Sequence, residues 1–318
     1  MSKRRIFFAT DIHGSEACFK KFMNAGKFYK ADALIFGGDL TGKTIIPIVE
    51  GPKGVFTCKF LGESLTVKGE RERDNLTQKI RSVGSYFYIM DRSESEELSR
   101  NQEKVKELFT RLMEDSVREW MKLADERLKD TGIKCYITPG NDDDACIDPI
   151  LNESESVVNP DGKVISILED IEMISLGNSN ITPWRCPRDI TEEELSRKIN
   201  SLVTEARNLE KSIFNIHVPP YGTGIDSAPE LDENLKPKLE PGGEVKMAST
   251  GSTAVREAIL NCQPLLGIHG HIHESKGFFK LGRTLCINPG SEYQEGILKG
   301  FLAELSDGKI KDFMFTAG

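Results

Sequence analysis

Three observations predict an α/β layer fold for this chain. Short apolar runs of strand length recur from the N-terminus to near residue 305, and several end at a motif bearing glycine with aspartate, asparagine or histidine. A stretch with helical periodicity separates the first two runs, and a second such stretch lies at 191–211. Runs that are apolar throughout, rather than alternating, suit strands covered on both faces, as layered α/β sheets require.

Taken in order, residues 4–10 and 33–38 read as buried strands, and Ala17, Phe19, Phe22 and Met23 form the apolar stripe of a helix between them, a βαβ-like opening. From Lys43 to about Gly132 that rhythm is interrupted. Val55–Leu61, a turn at Gly62-Glu63 and Ser64–Val67 predict a hairpin. A long helix should follow, with Ser93 and Glu96 spaced as a capping box and Gly132 as its terminator. Val105, Leu108, Phe109, Leu112, Trp120, Leu123 and Leu128 give that helix one apolar face, which either packs on the core or forms an interface between copies of the chain.

The core pattern then resumes, with strands expected near 133–139, 164–176, 212–217, 265–270, 283–287 and 300–305. The helix at 191–211 begins at a Thr191/Glu194 capping box and carries Leu195, Ile199, Leu202, Ala206 and Leu209 on one side. Residues 222–251 show neither period and follow His217 closely, so a mobile substrate loop is expected there. No internal repeat or low-complexity tract is present.

At 318 residues the chain can bury a large core, as a single domain over 1–318 with 43–132 inserted into it. No run of eighteen apolar residues suggests a membrane span. The basic start, Met1-Ser-Lys-Arg-Arg, leads into too short an apolar run for a signal peptide, so it reads as the approach to the first strand. Seven cysteines without regular spacing suit buried thiols in a reducing cytoplasm rather than a disulfide framework. Cys146 lies near Asn141, but no histidine pairs with it in sequence as a nucleophile would need.

Net charge is −8, and all of it falls outside 43–132, where seventeen basic residues balance seventeen acidic ones. An acidic core suits cations and speaks against a nonspecific grip on nucleic acid.

The polar motifs at the run ends share a chemistry. They are Asp11-Ile-His13-Gly14, Gly37-Gly38-Asp39, Gly140-Asn141-Asp142-Asp143, His217, and Gly270-His271-Ile272-His273. Sheets of this class place ligands at strand ends. Hard carboxylate oxygens, borderline imidazoles and one shared group are what a pair of divalent cations needs, and such a pair can clamp a phosphate and acidify a bridging water. Asp11, His13, Asp39, Asn141, His217, His271 and His273 supply that set.

In order and content these five motifs resemble those of the calcineurin-like metallophosphoesterase family, over roughly residues 1–42, 133–147, 210–220 and 264–292. The resemblance implies a four-layer α/β/β/α sandwich of two mixed sheets. It also implies that Asp11, His13 and His273 hold one metal, that Asn141, His217 and His271 hold the other, and that Asp39 bridges them. Manganese, iron, zinc and cobalt all suit such a set. Asn288-Pro-Gly-Ser291 is similar to the family's ending. Ser179-Asn180-Ile-Thr182-Pro183-Trp184 looks like a poorly characterised, largely archaeal branch, and residues 43–132 match nothing in the general pattern.

The chain departs from the family at Asp142, where a histidine usually stands and can protonate the leaving group. A carboxylate between cations stays charged and donates poorly. Asp142 could point outward, touch a metal-held water or act as a base, and Asp143 is the second catalytic candidate. Esters with good leaving groups, aryl or nucleotide diesters, are therefore the expected substrates. Asn141, His269, Arg185, Arg188 and Lys43 are candidates for contacting them; a core position for His269 and plain solvation for the three cations are the alternatives.

The expected function is a cytoplasmic, dinuclear metal-dependent phosphohydrolase acting on a small phosphorylated substrate, without nucleic acid or membrane and open to self-association through 43–132. A nuclease of the same chemistry would need a basic groove or stacking aromatics. A noncatalytic scaffold would be free to lose ligands.

Overall fold

The computed structural model describes residues 3–168 and 170–318. Two six-stranded sheets form its centre. The first runs in the order Lys309–Ala317, Lys299–Ser306, Arg4–Ala9, Ala33–Phe36, Lys134–Ile137, Val157–Val158. The second runs Gly277–Leu281, Thr284–Asn288, Leu266–Ile268, Ile213–Ile216, Ile171–Leu176, Lys163–Leu168. Both are mixed: Arg4–Ala9 pairs in parallel with Ala33–Phe36 and antiparallel with Lys299–Ser306.

The period of two assigns side chains to layers. Ile6, Phe8, Ala33 and Ile35 join Met173, Ile213, Leu266, Ile268 and Ile287 of the second sheet in one core. Their neighbours Phe7, Ala9, Leu34 and Phe36 face the other way, onto Phe19 and Phe22 of the helix Glu16–Phe28 and Val117 and Trp120 of Gln102–Leu128. Across the second sheet, Phe214, Ile216 and Cys286 meet Leu195 and Ile199 of Glu192–Glu205 and Val255 and Ile259 of Thr253–Cys262. The central strands, Ala33–Phe36, Ile213–Ile216 and Leu266–Ile268 among them, are thus buried on both faces, which is why their runs read as continuously apolar. The result is an α/β sandwich.

Between 43 and 132 the hairpin forms with its turn one residue earlier than expected, Val55–Phe60 and Glu63–Lys68 being joined by Leu61 and Gly62 at φ 51° and 80°. Positive φ at both central residues matches the twist of a two-residue hairpin. The rest differs. The hairpin belongs to a four-stranded sheet completed by Ile45–Gly51 and Tyr86–Met90, with the helix Gly69–Ser82 packed on it through Leu76 and Ile80. The long helix is two, Arg92–Arg100 and Gln102–Leu128. The first is capped by Asp91, which accepts from Glu94 N, rather than by Ser93, and Asn101 caps the second. Lys129 closes it ahead of Gly132, and Trp120 stacks on Phe19 at 4.4 Å, so its apolar face packs on the core.

Three further expectations change. The run 164–176 is a pair of antiparallel strands, the helix from Thr191 stops at Glu205, and 222–251 is a patterned arm. Ser227–Pro229 pairs with Met247–Ser249, bridges follow at Leu231–Pro237 and Leu239–Val245, and the buried Asp226 carboxylate accepts from Gly222, Thr223, Gly224 and Gly251 N–H groups at its base. Among the described residues no helix is long and apolar enough to cross a membrane.

Candidate metal centre

Arg4–Ala9, Ala33–Phe36 and Lys134–Ile137 are mutually parallel, as are Ile213–Ile216 and Leu266–Ile268, so within each sheet the motif loops leave the same edge. Backbone bonds join these loops. Asp11 N, His13 N and Gly14 N donate to Gly38, Asp39 and Leu40 carbonyls, and Gly270 N donates to His217 O. Asn215 crosses between the sheets to Thr138 Oγ1 at 2.8 Å.

On this base two groups of potential metal ligands form: Asp11, His13, Asp39 and His273, and Asp39, His217 and His271. Within each, one ligand atom per residue lies within 4.8 Å of the others. His13 Nε2 is 3.0 Å from His273 Nε2 and 3.5 Å from Asp39 Oδ2, and His273 Nε2 is 3.4 Å from Asp11 Oδ1. On the other side, His217 Nε2 stands 3.4 Å from Asp39 Oδ1, and Asn141 Oδ1 meets His271 Nδ1 at 3.0 Å. Asp39 belongs to both groups through different oxygens.

The backbone is strained at the same places. Asp11, His13, Asp39 and His271 have φ of 54°, 39°, 56° and 67°, a region costly for residues with a Cβ and concentrated at functional sites. Two glycines permit the close approach: a Cβ on Gly140 would lie 2.1 Å from Asp39 Oδ1, and one on Gly270 2.2 Å from Asp11 Oδ2.

Partners fix the side chains. His217 Nδ1–H donates to Gly37 O at 2.9 Å, which turns the buried Nε2 inward toward the Asp39 carboxylate, where it has no hydrogen-bond partner. A lone pair facing a carboxylate requires a proton or a metal ion between them, so the donor set fits a cation. Burial alone would push the His217 pKa down; the Asp39 carboxylate overrides it and raises it to about 10. Burial lowers His13 and His271 to about 4, so both are neutral at pH 7 and ready to ligate. Burial would raise Asp11, but its hydrogen bond with His273 and the nearby His217 hold it at about 2.

Sequence reasoning missed several positioning residues. Asp189 accepts from Asn141 Nδ2 at 2.8 Å and is itself held by Thr182 and Cys186, so it aims Asn141 Oδ1 at the centre. Ser179 Oγ is 3.2 Å from His271 Nε2, Ser291 Oγ donates to Asp11 O, and Asn288 Nδ2 donates to Gly270 and Ile272 carbonyls. Ser179 and Asn288 stand in segments the sequence singled out; Asp189 carried no local signal.

Comparison with known protein families finds no match for the chain. The uncharacterised protein MJ1162 of Methanocaldococcus jannaschii is 33% identical over 153 residues, 48% of this chain and 61% of that protein, so the chain spans about three fifths of the relative it matches. The crystal structure of TT1561 of Thermus thermophilus superposes with a TM-score of 0.53 at 15% identity, covering 100% of this chain and 99% of that one. The sulfate thiohydrolase SoxB of Thermus thermophilus, in complex with glycerol, is a looser likeness, with a TM-score of 0.36 at 11% identity over 99% of this chain and 56% of that one. At such identities the first superposition shows the fold alone.

Other candidates take different places. Asp143 is fully buried, and its carboxylate accepts from Leu40 N, Thr41 N, Thr41 Oγ1 and Gly140 N; it fastens two motif loops and has no open face for catalysis. His269 is fully buried, with Nδ1 bonded to Ile216 O at 2.7 Å, which is the core position and not a substrate contact. Arg188 spends its guanidinium on Asp143 O, Asp144 O, Asp148 and Asp161, holding the Asn141 loop from behind rather than meeting substrate. Arg185 is exposed on the turn after Thr182. Asp142 faces the centre: its N–H donates to Asp39 Oδ1, its Oδ2 lies 3.9 Å from His13 Nδ1, and it pairs with Lys43. Lys43 is thus part of the site's rim. Burial and Asp144 push the Cys146 thiol up to about 12, which disfavours the thiolate a nucleophile needs.

Proposed function

We propose that this chain is a divalent-metal-dependent phosphohydrolase of the calcineurin-like type, with two mixed sheets between helical layers as its four-layer frame and residues 43–132 as an insertion. The observation that carries this reading is Asp39, whose two oxygens face two different sets of imidazoles, 3.5 Å from His13 Nε2 and 3.4 Å from His217 Nε2. Asp11, His13 and His273 would hold one cation, Asn141, His217 and His271 the other, and Asp39 both. Two bound divalent cations (manganese, iron, zinc or cobalt) would polarise a phosphoryl oxygen and make a water acidic enough to lose its proton near neutral pH.

The protein's own part is positional. Asp189, Ser179 and the backbone carbonyl of Gly37 set the directions of Asn141, His271 and His217. A cleft of about 450 Å³ opens beside His273 between Lys276, Ser291, Tyr293 and Lys299, and suits the organic part of a small phosphorylated substrate. Tyr293 lies 4.9 Å from the His13 ring and 5.9 Å from that of His273, walling this side of the centre. With no histidine at 142 to protonate a departing alkoxide, aryl phosphate esters, whose phenolate departs without a proton, are the preferred substrates. The seven free thiols suit a reducing cytoplasm.

The test is a panel of phosphate mono- and diesters assayed with each metal in turn. Hydrolysis that is lost to a chelator, and lost again in Asp39→Asn, supports the reading. Protein that purifies without bound metal and hydrolyses none of the panel is a scaffold instead. If Asp142→His leaves the rate ratio between alkyl and aryl esters unchanged, the leaving-group argument fails.

A further inference from the structure

Lys43 leaves the Asp39 loop from a fixed base. Asp143 holds Leu40 N and Thr41 N, and the Tyr86 hydroxyl accepts from Gly42 N at 2.9 Å, so the residue before Lys43 is tied to the small sheet. The side chain then turns back over the site, and among the described residues its ion pair is with Asp142 Oδ2. Asp142 in turn donates its N–H to Asp39 Oδ1 at 3.0 Å. The ammonium is therefore held at the mouth of the centre, on the side where His13 Nδ1 faces Asp142, and the Lys43 side chain is 48% exposed.

A half-exposed ion pair contributes little to folding, so stability gives a weak reason for this arrangement. Electrostatics gives a stronger one. A lysine beside two divalent cations is repelled by them and swings into solvent unless something holds it. Asp142 supplies that tether, and in doing so it offsets a charge that would otherwise oppose cation binding. An ammonium has three donors, and the tether occupies one, which leaves two for an anion.

We propose that Lys43, oriented by Asp142, is the oxyanion-binding side chain of this site, donating to the phosphoryl oxygens of a substrate seated over Asp39. The inference rests on the phosphohydrolase reading. It gives Asp142 a positioning role and turns the carboxylate at the mouth from an obstacle to phosphate into the anchor of its partner. Lys43 keeps its charge throughout and transfers no proton. Its contribution is greater for a dianionic monoester than for a monoanionic diester.

The experiment is calorimetric titration of orthophosphate into manganese-loaded protein, with metal content measured on the same samples. Lys43→Met should bind the same amount of metal and weaken orthophosphate about tenfold or more, the scale of one hydrogen bond to a charged group. Lys43→Arg should keep most of the affinity, and Asp142→Asn should lose part of it by untethering the lysine. In turnover, Lys43→Met should raise KM more for monoesters than for diesters. Wild-type affinity for orthophosphate in Lys43→Met, or in Lys43→Gln should the first variant not fold, overturns the inference. Failure of the wild-type protein to hydrolyse any ester counts against the phosphohydrolase reading, whereas an active wild type matched by Lys43→Met in both measurements sinks the Lys43 role alone.

Discussion

At the residue scale, Asn141 shows how little freedom the centre leaves its side chains. An amide can present either oxygen or nitrogen, and the Asp189 carboxylate on Nδ2 decides that the oxygen faces His271. Asp189→Ala should lower cation affinity about 10–100-fold, the usual effect of removing a partner behind a metal ligand, as read from a metal titration. His217 adds a pH dependence. Its pKa stands above the ordinary value of 6.5, at about 10, so the metal-free protein carries a proton where the cation would bind. Cation binding must release that proton, and affinity should rise with pH through neutrality toward 10; titrations in buffers of different ionisation enthalpy count the protons released. In the metal-free protein the same shift stabilises the fold fully below 6.5 and is lost as pH rises through about 10. The seven candidate ligands were legible because they end apolar runs. Asp189 and Asp143 were not, since what they do depends on loops brought together from far along the chain.

At the element scale, the loops matter more than the strands that carry them. Asp143 ties the loop after Ala33–Phe36 to the loop after Lys134–Ile137 with four accepted bonds, and burial and the neighbouring Asp39 raise its pKa. Removing it leaves three buried backbone donors without their acceptor, each costing about 1–3 kcal/mol, so Asp143→Ala should destabilise by about 3 kcal/mol or more, measured by denaturant unfolding. Gly140→Ala should both destabilise the fold and weaken cation binding, because a Cβ there would lie 2.1 Å from Asp39 Oδ1 and 2.2 Å from the Asp39 backbone nitrogen; denaturant unfolding and a metal titration read the two effects. The elements the sequence hid had physical reasons to hide. Pro47 sits inside Ile45–Gly51, where proline argues against a strand. Gly69–Ser82 buries only Leu76 and Ile80, too sparse an apolar stripe to show a period. In Lys309–Ala317 the alternation is masked by lysines and an aspartate on its exposed face.

At the scale of the whole molecule, the centre is assembled from loops of both sheets, so cation binding should brace them against each other. A ligand that binds only the folded state at 100 times its Kd adds about 2.7 kcal/mol, and the melting temperature should rise with manganese or zinc and fall back with a chelator. The two-sheet core was readable from run length and burial; how the sheets approach was not, because that depends on packing of Phe8, Ile35, Ile213 and Ile268 across the interface. The most direct test of the account is the metal content of the purified protein after loading and desalting. It predicts about two equivalents per chain in the wild type, and loss of one equivalent or more in His217→Ala and in His273→Ala. No bound metal in the wild type, or two equivalents undiminished in both variants, would contradict it.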